Sequence, residues 1–321
     1  MRVVLILLIL LQVVTDTTDS YKLLENYQRN HLWNEWKTHY AKEYANTGEE
    51  EIRKAKWLEN IEKIWLHNLR YDLGLETFTV GVNQFSDVDW NEYTEKFTFN
   101  KQPELLKSLS SSASFVEENY DGSCHGSYAF AVTAATESQY ALRTSQKVNL
   151  SVQQFIDCTR LYGNMGCYGG HTFTLFIYLQ NFGLETEESY PFTAEDEDCM
   201  ANSSDVVVQS IGFKLHRHGY ETILKWAVYN EGPYVISMNI DQKFLFYKSG
   251  IYQSDTCTHY NLNQSMLLVG YGYDNDGTDY WILQNNWGKK WGEGGYVKVL
   301  RNNWNMCGIA SLAFRPILRS F

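Results

Sequence analysis

The chain lacks the features that would direct it to a nucleic acid, a bilayer or a metal ion. Its 38 acidic residues outnumber 27 basic ones, which gives a net charge of -11. This charge argues against a nucleic acid or an anionic membrane as the main partner, because either would favour a basic face. Beyond one apolar stretch near the N-terminus, no run is long enough to form a membrane anchor. No Cys-x-x-Cys pair or cysteine–histidine cluster is present, so no metal ion or other cofactor is expected.

What the sequence does contain is typical of a globular protein. Its 321 residues are 44% hydrophobic and 15% aromatic, enough to bury the core of one or two domains. One arginine, an apolar run from Val3 to Leu11 and then small polar residues predict a secretory signal peptide at residues 1–17. The mature protein is therefore expected to be secreted and extracellular. A lysosome and a gut lumen are the alternative locations.

Two motifs follow in the N-terminal third. Six residues recur at spacings of three or four, which places them on one face of a helix that begins near Gly48. They are Glu49, Arg53, Trp57, Asn60, Ile64 and Asn68. Periodicity alone would predict an ordinary amphipathic helix. The residue identities, together with the run Gly81–Asp87, resemble the two propeptide motifs of cathepsin L-like cysteine proteases of the papain family.

The resemblance implies an α+β fold with a defined order of domains. Residues 18–103 would form a helical inhibitory propeptide that sends its tail through the substrate cleft. Residues 104–321 would form a papain-like domain, with a helical lobe at 104–210 and an antiparallel β-barrel lobe at 211–321. The expected partners are the chain's own propeptide in the cleft and peptide or protein ligands.

The residues at the positions of the family's catalytic machinery have largely changed. Ser127 stands where the family has its nucleophilic cysteine, and Gln264 stands where it has the histidine base. Asp121 replaces the glutamine of the oxyanion hole, where a carboxylate would oppose the developing negative charge. Asn285, which would orient the histidine, and Trp287, which would cover it, are retained. Since a neutral amide cannot accept a proton near neutral pH, the serine has no evident base.

These changes favour a non-enzyme: a secreted, inactive homologue of a cysteine endopeptidase that works by binding, as a decoy, competitor or host-interaction protein. One alternative is an active hydrolase that uses Ser127 with an unrecognised base; neither His125 nor His259 matches a family motif for that role. A structural or storage protein is the other alternative.

The scaffold, by contrast, matches the family. Six cysteines in a secreted chain predict disulfides, although their spacing does not give the pairing. The resemblance implies the pairs Cys124 with Cys167, Cys158 with Cys199, and Cys257 with Cys307. It also assigns Gly169 and Gly170 to a cleft wall that pairs with a substrate backbone, where a plain glycine turn is the simpler reading.

Finer features complete the prediction. Apolar patterning predicts a helix at 128–143 and strands at 234–240, 265–273, 279–284 and 295–300, with a hairpin turn at Asp276-Gly277. N-glycosylation sequons occur at Asn149, Asn202 and Asn263, and Asn263 is expected to be unoccupied because a strand is poorly exposed. Three runs resemble mite group 1 cysteine-protease allergens, of which parasitic mites carry inactivated paralogues. These runs are Ala134–Tyr140, Asn149–Cys158 and Asp279–Ile282.

Overall fold

A computed structural model describes residues 29–97, 124–217 and 219–319. The predicted signal peptide, the predicted junction near residue 103 and Asp121 lie outside these ranges. The chain divides into two units, Met1–Glu59 and Asn60–Phe321. Among the described helices, none is both long enough and apolar enough to cross a membrane.

The described part of the first unit is held together by aromatic side chains. A helix, α1, covers residues 29–39, and a second, α2, spans Thr47–Asp72 and so begins in this unit. The buried rings of Trp33 and Trp36 stack with centroids 5.2 Å apart, and the ring of Trp57 lies edge-on to Trp33 at 5.7 Å. The backbone N–H of Glu49 donates to the Asn46 side chain at 3.0 Å, which satisfies one donor of the first turn of α2.

Helices dominate the first half of the second unit. The longest, α4, buries most of its first three turns, since small and apolar residues follow one another from Tyr128 to Ala135. It packs against α6 on one side and against β3, β5 and β8 of the sheet on the other. The helices after α2 are α3 (Trp90–Phe97), α4 (Ser127–Thr144), α5 (Gln153–Cys158), α6 (Thr172–Asn181), α7 (Glu221–Glu231) and α8 (Gln242–Leu245). Short 3-10 turns cover Arg160–Tyr162, Gly166–Tyr168 and Met306–Gly308.

Strands dominate from residue 210 onward, and the α+β fold class is confirmed. The described strands form one eight-stranded sheet in the order β1-β4-β7-β6-β5-β3-β8-β2. They are β1 (Phe78–Val80), β2 (Ser210–Arg217), β3 (Tyr234–Met238), β4 (Tyr247–Tyr252), β5 (Gln264–Tyr273), β6 (Asp279–Gln284), β7 (Tyr296–Leu300) and β8 (Leu312–Leu318). All pairs are antiparallel except β4 with β7, which corrects the expectation of a wholly antiparallel lobe.

Four strands agree with the prediction and four were not foreseen. The predicted hairpin turn joins β5 to β6, where Asp274 N–H donates to the Thr278 carbonyl and Gly277 has a φ of 81°. β8 was missed because Pro316 argues against a strand between two neighbours. The register of β8 explains why it tolerates a proline. Pro316 lies opposite Phe213 of β2, and the pairing of β8 with β3 is confined to Ala313 and Phe314, so the missing N–H of Pro316 interrupts no pair with β3.

Three disulfides tie the second unit together. They join Cys124 to Cys167, Cys158 to Cys199 and Cys257 to Cys307, the pairs that the resemblance implies. Each closes a loop of 41 to 50 residues. In the chain-entropy model, a disulfide that closes a loop of this length stabilises the folded state by about 4 kcal/mol.

Candidate active site

Ser127 is the first residue of helix α4. The backbone N–H groups of Ala129 and Phe130 both reach the Gly126 carbonyl, at 2.7 and 2.9 Å, so the helix starts abruptly after Gly126. The Ser127 side chain is half-buried, and Tyr128 and Ala129 behind it are fully packed. The hydroxyl therefore lies in the positive field of an 18-residue helix, fixed by the packing of its neighbours.

The loop before Ser127 is anchored to the 164–170 loop. Besides the Cys124–Cys167 disulfide, the His125 N–H donates to the Cys167 carbonyl at 2.9 Å. The Tyr128 hydroxyl donates to the Gly166 carbonyl at 3.1 Å. Burial raises the pKa of Tyr128 far above its ordinary value, so this hydroxyl stays a neutral donor. The structure thus brings the nucleophile position next to the predicted cleft wall.

Two glycines at that wall are required by the local geometry. Gly169 has a φ of 108°, a conformation that side chains disfavour. A Cβ atom at Gly170 would lie 2.6 Å from both Asn164 Oδ1 and the Tyr128 ring. Asn164 is itself fixed, since its Oδ1 accepts from the His171 N–H at 2.7 Å. The wall therefore presents bare backbone, as a surface that pairs with an extended peptide must.

Gln264, the first residue of β5, lies in a cluster of three buried amides. Its Nε2 donates to Asn285 Oδ1 at 2.8 Å and to Asn286 Oδ1 at 3.0 Å. Asn285 Oδ1 also accepts from the Asn286 N–H at 2.9 Å. All three side chains are at most 4% exposed. The cluster is neutral at any physiological pH, so the position of the family's histidine holds no group that could exchange a proton with Ser127.

Trp287 packs beside the amide cluster and receives the second propeptide motif. Its ring meets those of Phe244, Trp291 and Phe85 at centroid distances of 5.8, 5.0 and 4.9 Å. The Gln84 side chain donates to the Trp287 carbonyl at 2.7 Å. The predicted cover of the site is thus also a docking surface for residues 84 and 85.

The two propeptide motifs contact each other and the sheet. Asn60 donates through Nδ2 to the carbonyls of Ser86 and Val88, at 3.0 and 2.9 Å. Asn83 donates to the Leu245 carbonyl at 2.7 Å, and β1 pairs with β4. The residues from 60 to 97 are therefore docked on the strand-rich part of the second unit by buried polar contacts.

The structure groups most of the predicted site residues into two sets. Ser127 lies with the 164–170 loop, and Gln264 lies with Asn285 and Trp287, on β5 and the loop after β6. α4 packs against β5, which links the two sets. Asp121 lies outside the described residues. His259 is exposed beside Tyr260, and no described contact joins it to the amide cluster.

Sequence reasoning missed two residues that shape this site. Asn286 shares the Gln264 amide with Asn285, and Asn164 supports the glycine wall. The doubled asparagine at 285–286 was a visible signal for the first of these. Nothing in the sequence around Asn164 could have identified the second. Within the described residues, no group of three or more histidine, cysteine, aspartate or glutamate side chains could hold a metal ion.

Comparison with known proteins shows how far the likeness extends. Residues 109–317 match the model of the papain family cysteine proteases, and residues 33–93 match that of the cathepsin propeptide inhibitor domain, I29. A cathepsin L-like proteinase of Fasciola hepatica is 38% identical over 308 residues, covering 90% of this chain and 94% of that protein. Human cathepsin L2 is 36% identical, covering 88% and 91%. The digestive procathepsin L 3 of the Tenebrio molitor larval midgut superposes with a TM-score of 0.81 at 34% identity, covering 90% of this chain and 99% of that one.

These matches correct one expectation from the sequence. The chain was expected to be a non-enzyme, and that expectation is wrong. The matched family and the curated relatives are named as proteases, and the relatives align with nearly the whole chain. The expectation was based on the identities of a few side chains. The similarity to known proteases is based on the scaffold that positions those side chains.

Proposed function

Because this chain belongs to the papain family of cysteine proteases and carries an I29 propeptide, we propose that its mature form binds extended peptides and hydrolyses them with low turnover. The observation that carries this proposal is the contrast within the site. Gly170, whose close packing against Asn164 and Tyr128 leaves no room for a side chain, belongs to the proposed peptide-binding wall near Ser127. At the proposed position of the base, the Gln264 amide is already engaged by Asn285 and Asn286.

Peptide binding is supported by the wall at residues 169–170. Bare backbone at Gly169 and Gly170 lets an extended chain approach closely enough for main-chain hydrogen bonds, which supply affinity without selecting a sequence. The Cys124–Cys167 disulfide and the Tyr128 hydroxyl fix this wall relative to Ser127. The bound peptide would therefore lie alongside the hydroxyl.

Low turnover follows from the chemistry of the two side chains. Ser127 Oγ would attack the carbonyl carbon, with the helix N-terminus stabilising the negative charge that forms on the oxygen. The scissile C–N bond would then break, the amine leaving with a proton from water, and a second water would hydrolyse the acyl ester to release the acid and restore Ser127. The hydroxyl proton would have to pass to solvent, since the Gln264 amide cannot accept it. A positioned general base contributes about 10²- to 10⁴-fold in rate, so its loss leaves binding intact and slows the reaction by that order. A protein of this kind would compete for peptides, which supports a role as a decoy, competitor or host-interaction protein.

The same proposal covers the precursor. Residues 1–17 would direct secretion, residues 18–103 would form the inhibitory propeptide, and its tail would occupy the cleft of residues 104–321, between lobes 104–210 and 211–321. Slow turnover would make self-processing inefficient, so another protease would remove the propeptide. A purified precursor that shortens rapidly by itself at acidic pH, with contaminating proteases excluded, would contradict this.

Surface features supply two further elements of the proposal. The three runs named above support a position near the mite group 1 allergens within the family. Asn149 and Asn202 are exposed and would carry glycans. The Asn263 side chain accepts from the Ile240 N–H at 2.7 Å and donates to the Ile240 carbonyl at 3.2 Å, which supports an unmodified residue. A glycopeptide containing Asn263 in a digest of the secreted protein would contradict that assignment.

The test measures binding and hydrolysis separately on the processed protein. Ser127→Ala should abolish hydrolysis of a fluorogenic peptide while leaving the Kd of a non-cleaved peptide within about twofold, since the hydroxyl contributes little to binding. Gly170→Ala should weaken the same peptide by about tenfold or more, because its Cβ would displace Asn164 or Tyr128. The exposed Ser203→Ala, which keeps the Asn202 sequon, serves as a control for both. Hydrolysis that survives Ser127→Ala, or the absence of any peptide binding, would overturn the proposal.

A further inference from the structure

A cavity of about 460 Å³ lies along helix α4, and neither Ser127 nor the 164–170 loop lines it. We call it the α4 cavity. Phe130 and Phe192 form one end, with ring centroids 5.0 Å apart, and Val148, Leu150 and Val152 add aliphatic walls. A mostly apolar cavity of this size can enclose the body of a small organic molecule.

Half of the residues that line the α4 cavity are polar, and two of its three charged side chains are acidic. Glu137 lies on α4, four residues after Thr133, and therefore on the same helical face. Its Oε1 accepts from the Leu150 N–H at 2.8 Å, which holds the carboxyl at the wall. Glu187 lines the cavity as well, and its Oε1 accepts from the Phe192 N–H at 2.7 Å. Two carboxyl groups thus share one apolar enclosure.

Thr133 supplies an independent sign of a ligand. Its side chain is 1% exposed and lines the cavity, and its hydroxyl has no hydrogen-bond partner among the described residues. Other buried threonines of this chain behave differently: Thr136 donates to the Val132 carbonyl at 2.6 Å, and Thr159 donates to the Phe155 carbonyl at 2.6 Å. A buried hydroxyl without a partner is costly, so its place in a cavity wall calls for a partner inside the cavity.

The state of Glu137 agrees with this reading. Burial, the largest cause, and the neighbouring Glu187 carboxylate together raise the pKa of Glu137 to about 7, against the lowering effect of the Leu150 N–H. A positive group between the two carboxyls would relieve both the desolvation and the repulsion. Lys147 also lines the cavity, is exposed, and is the one cation among the described lining residues.

We propose that the α4 cavity binds a small organic ammonium ion with an aromatic or aliphatic body. The ammonium group would donate to the Glu137 carboxylate and the Thr133 hydroxyl, with Glu187 completing the negative surroundings, while the body packs between Phe130 and Phe192. Three donors match three acceptors in this arrangement. The aromatic rings add a favourable face for the cation. The site is separate from the peptide cleft and does not depend on peptide hydrolysis.

The full-length proprotein provides the test, with 2-phenylethylamine as the probe in calorimetric titrations at about pH 8 and about pH 5. Its neutral analogue 2-phenylethanol has the same body without the charge. At the higher pH the alcohol should bind at least about tenfold more weakly than the amine. Affinity for the amine should fall at the lower pH, because Glu137 becomes protonated there. A peptide amide that begins with phenylalanine distinguishes a free amine from a peptide N-terminus as the natural source.

Variants separate the proposed contacts from general effects on the fold. Glu137→Gln should weaken amine binding about tenfold or more, Thr133→Val by about threefold to tenfold, and Lys147→Ala should strengthen it by removing a competing cation. Glu188→Gln, an exposed neighbour, should have no effect and is the matched control. The melting temperature of each unliganded variant checks its folding, and Thr133→Val, which keeps the side-chain shape, remains informative if Glu137→Gln fails to fold.

Several outcomes would overturn the proposal. Equal binding of the amine and the alcohol would remove the role of the charge. Amine binding unchanged in Thr133→Val and Glu137→Gln would place the ligand elsewhere. Calcium ion that binds in place of the amine, and is lost in Glu137→Gln, would make the cavity a metal site. The absence of amine binding at millimolar concentration would also contradict it.

Discussion

The docked propeptide segment (residues 60–97) and the amide cluster of Gln264, Asn285 and Asn286, which we call the reactive corner, both adjoin Trp287. The two regions differ in which features of the family they retain. On one side, Gln84 and Phe85 contact the carbonyl and the ring of Trp287. On the other side, Gln264, which we propose stands at the position of the family's histidine, forms a neutral amide cluster with Asn285 and Asn286. The residues on one side of Trp287 thus keep their docking contacts, whereas those on the other side differ in chemistry from the proposed family site.

The difference reflects what each contact needs from its side chains. Docking uses amide donors that reach backbone carbonyls and aromatic rings that meet edge to face, and such contacts depend on shape and position. Catalysis depends on the proton affinity of one side chain, which a single substitution removes. A scaffold can therefore stay intact, and still bind its propeptide, after the reaction has become slow.

The two regions also differ in their response to pH. The reactive corner contains only amides, whereas the docked segment contains His67, whose Nε2 lies 2.9 Å from the Phe78 carbonyl in β1. Burial lowers the pKa of His67, and the Phe78 carbonyl and the Glu76 carboxylate offset this only in part. Acid should therefore weaken the docked segment and leave the reactive corner unchanged.

Restoring the catalytic side chains should produce the largest effect. We expect Ser127→Cys combined with Gln264→His and Asp121→Gln to raise kcat/KM for a fluorogenic peptide by about 10³-fold or more, because the variant regains a nucleophile, its base and an oxyanion donor. Adding Asn285→Ala to the triple variant should remove part of the gain, since the new imidazole then loses its orienting partner. A triple variant as slow as the parent would show that the cleft itself has changed.

Trp287→Ala should damage both regions at once. Removing a large ring that packs against Phe244, Trp291 and Phe85 should lower the free energy of unfolding of the proprotein by about 3–5 kcal/mol. Denaturant titration measures this, and the exposed Trp304→Ala serves as the matched control. A loss below about 1 kcal/mol would mean that the shared residue does not couple the regions.

Gln84→Ala should affect the docked segment alone. It removes a buried hydrogen bond to the Trp287 carbonyl, so the proprotein should lose about 1–3 kcal/mol of stability. The exposed Gln146→Ala should change little. After removal of the propeptide, the Gln84 variant and the parent become the same molecule, and any remaining difference in melting temperature would contradict the assignment.

His67→Gln should give the smallest effect, visible as a change of slope. An imidazole with a folded-state pKa below its ordinary value of 6.5 stabilises the fold above that pH, and the contribution is lost as the pH falls through the folded-state value. The parent proprotein should therefore lose stability faster than the variant on acidification below neutrality. Parallel curves of melting temperature against pH for the two proteins would show that His67 does not make docking sensitive to acid.

Much of this comparison could be read from the sequence, and the rest depended on contacts between distant segments. The helix at Ser127 and the β5–β6 hairpin were predictable, because local periodicity and the Asp276-Gly277 turn determine them. The role of Asn286 was not, because it depends on the distance from β5 to the loop after β6. β1 has only three residues and gains its partners from β4, about 170 positions later, so no local pattern could reveal it.

The pairing of β1 with β4 also bears on the solubility of the processed protein. β1 is at the end of the strand order, and Gly250 of β4 lets the backbone of Phe78 approach so closely that a Cβ would lie 2.9 Å from its Cα. Cleavage near residue 103 followed by release of the propeptide would leave β4 as a bare sheet edge. Such edges template aggregation unless a charge interrupts them, and the exposed Lys248, the second residue of β4, is suited to that protective role.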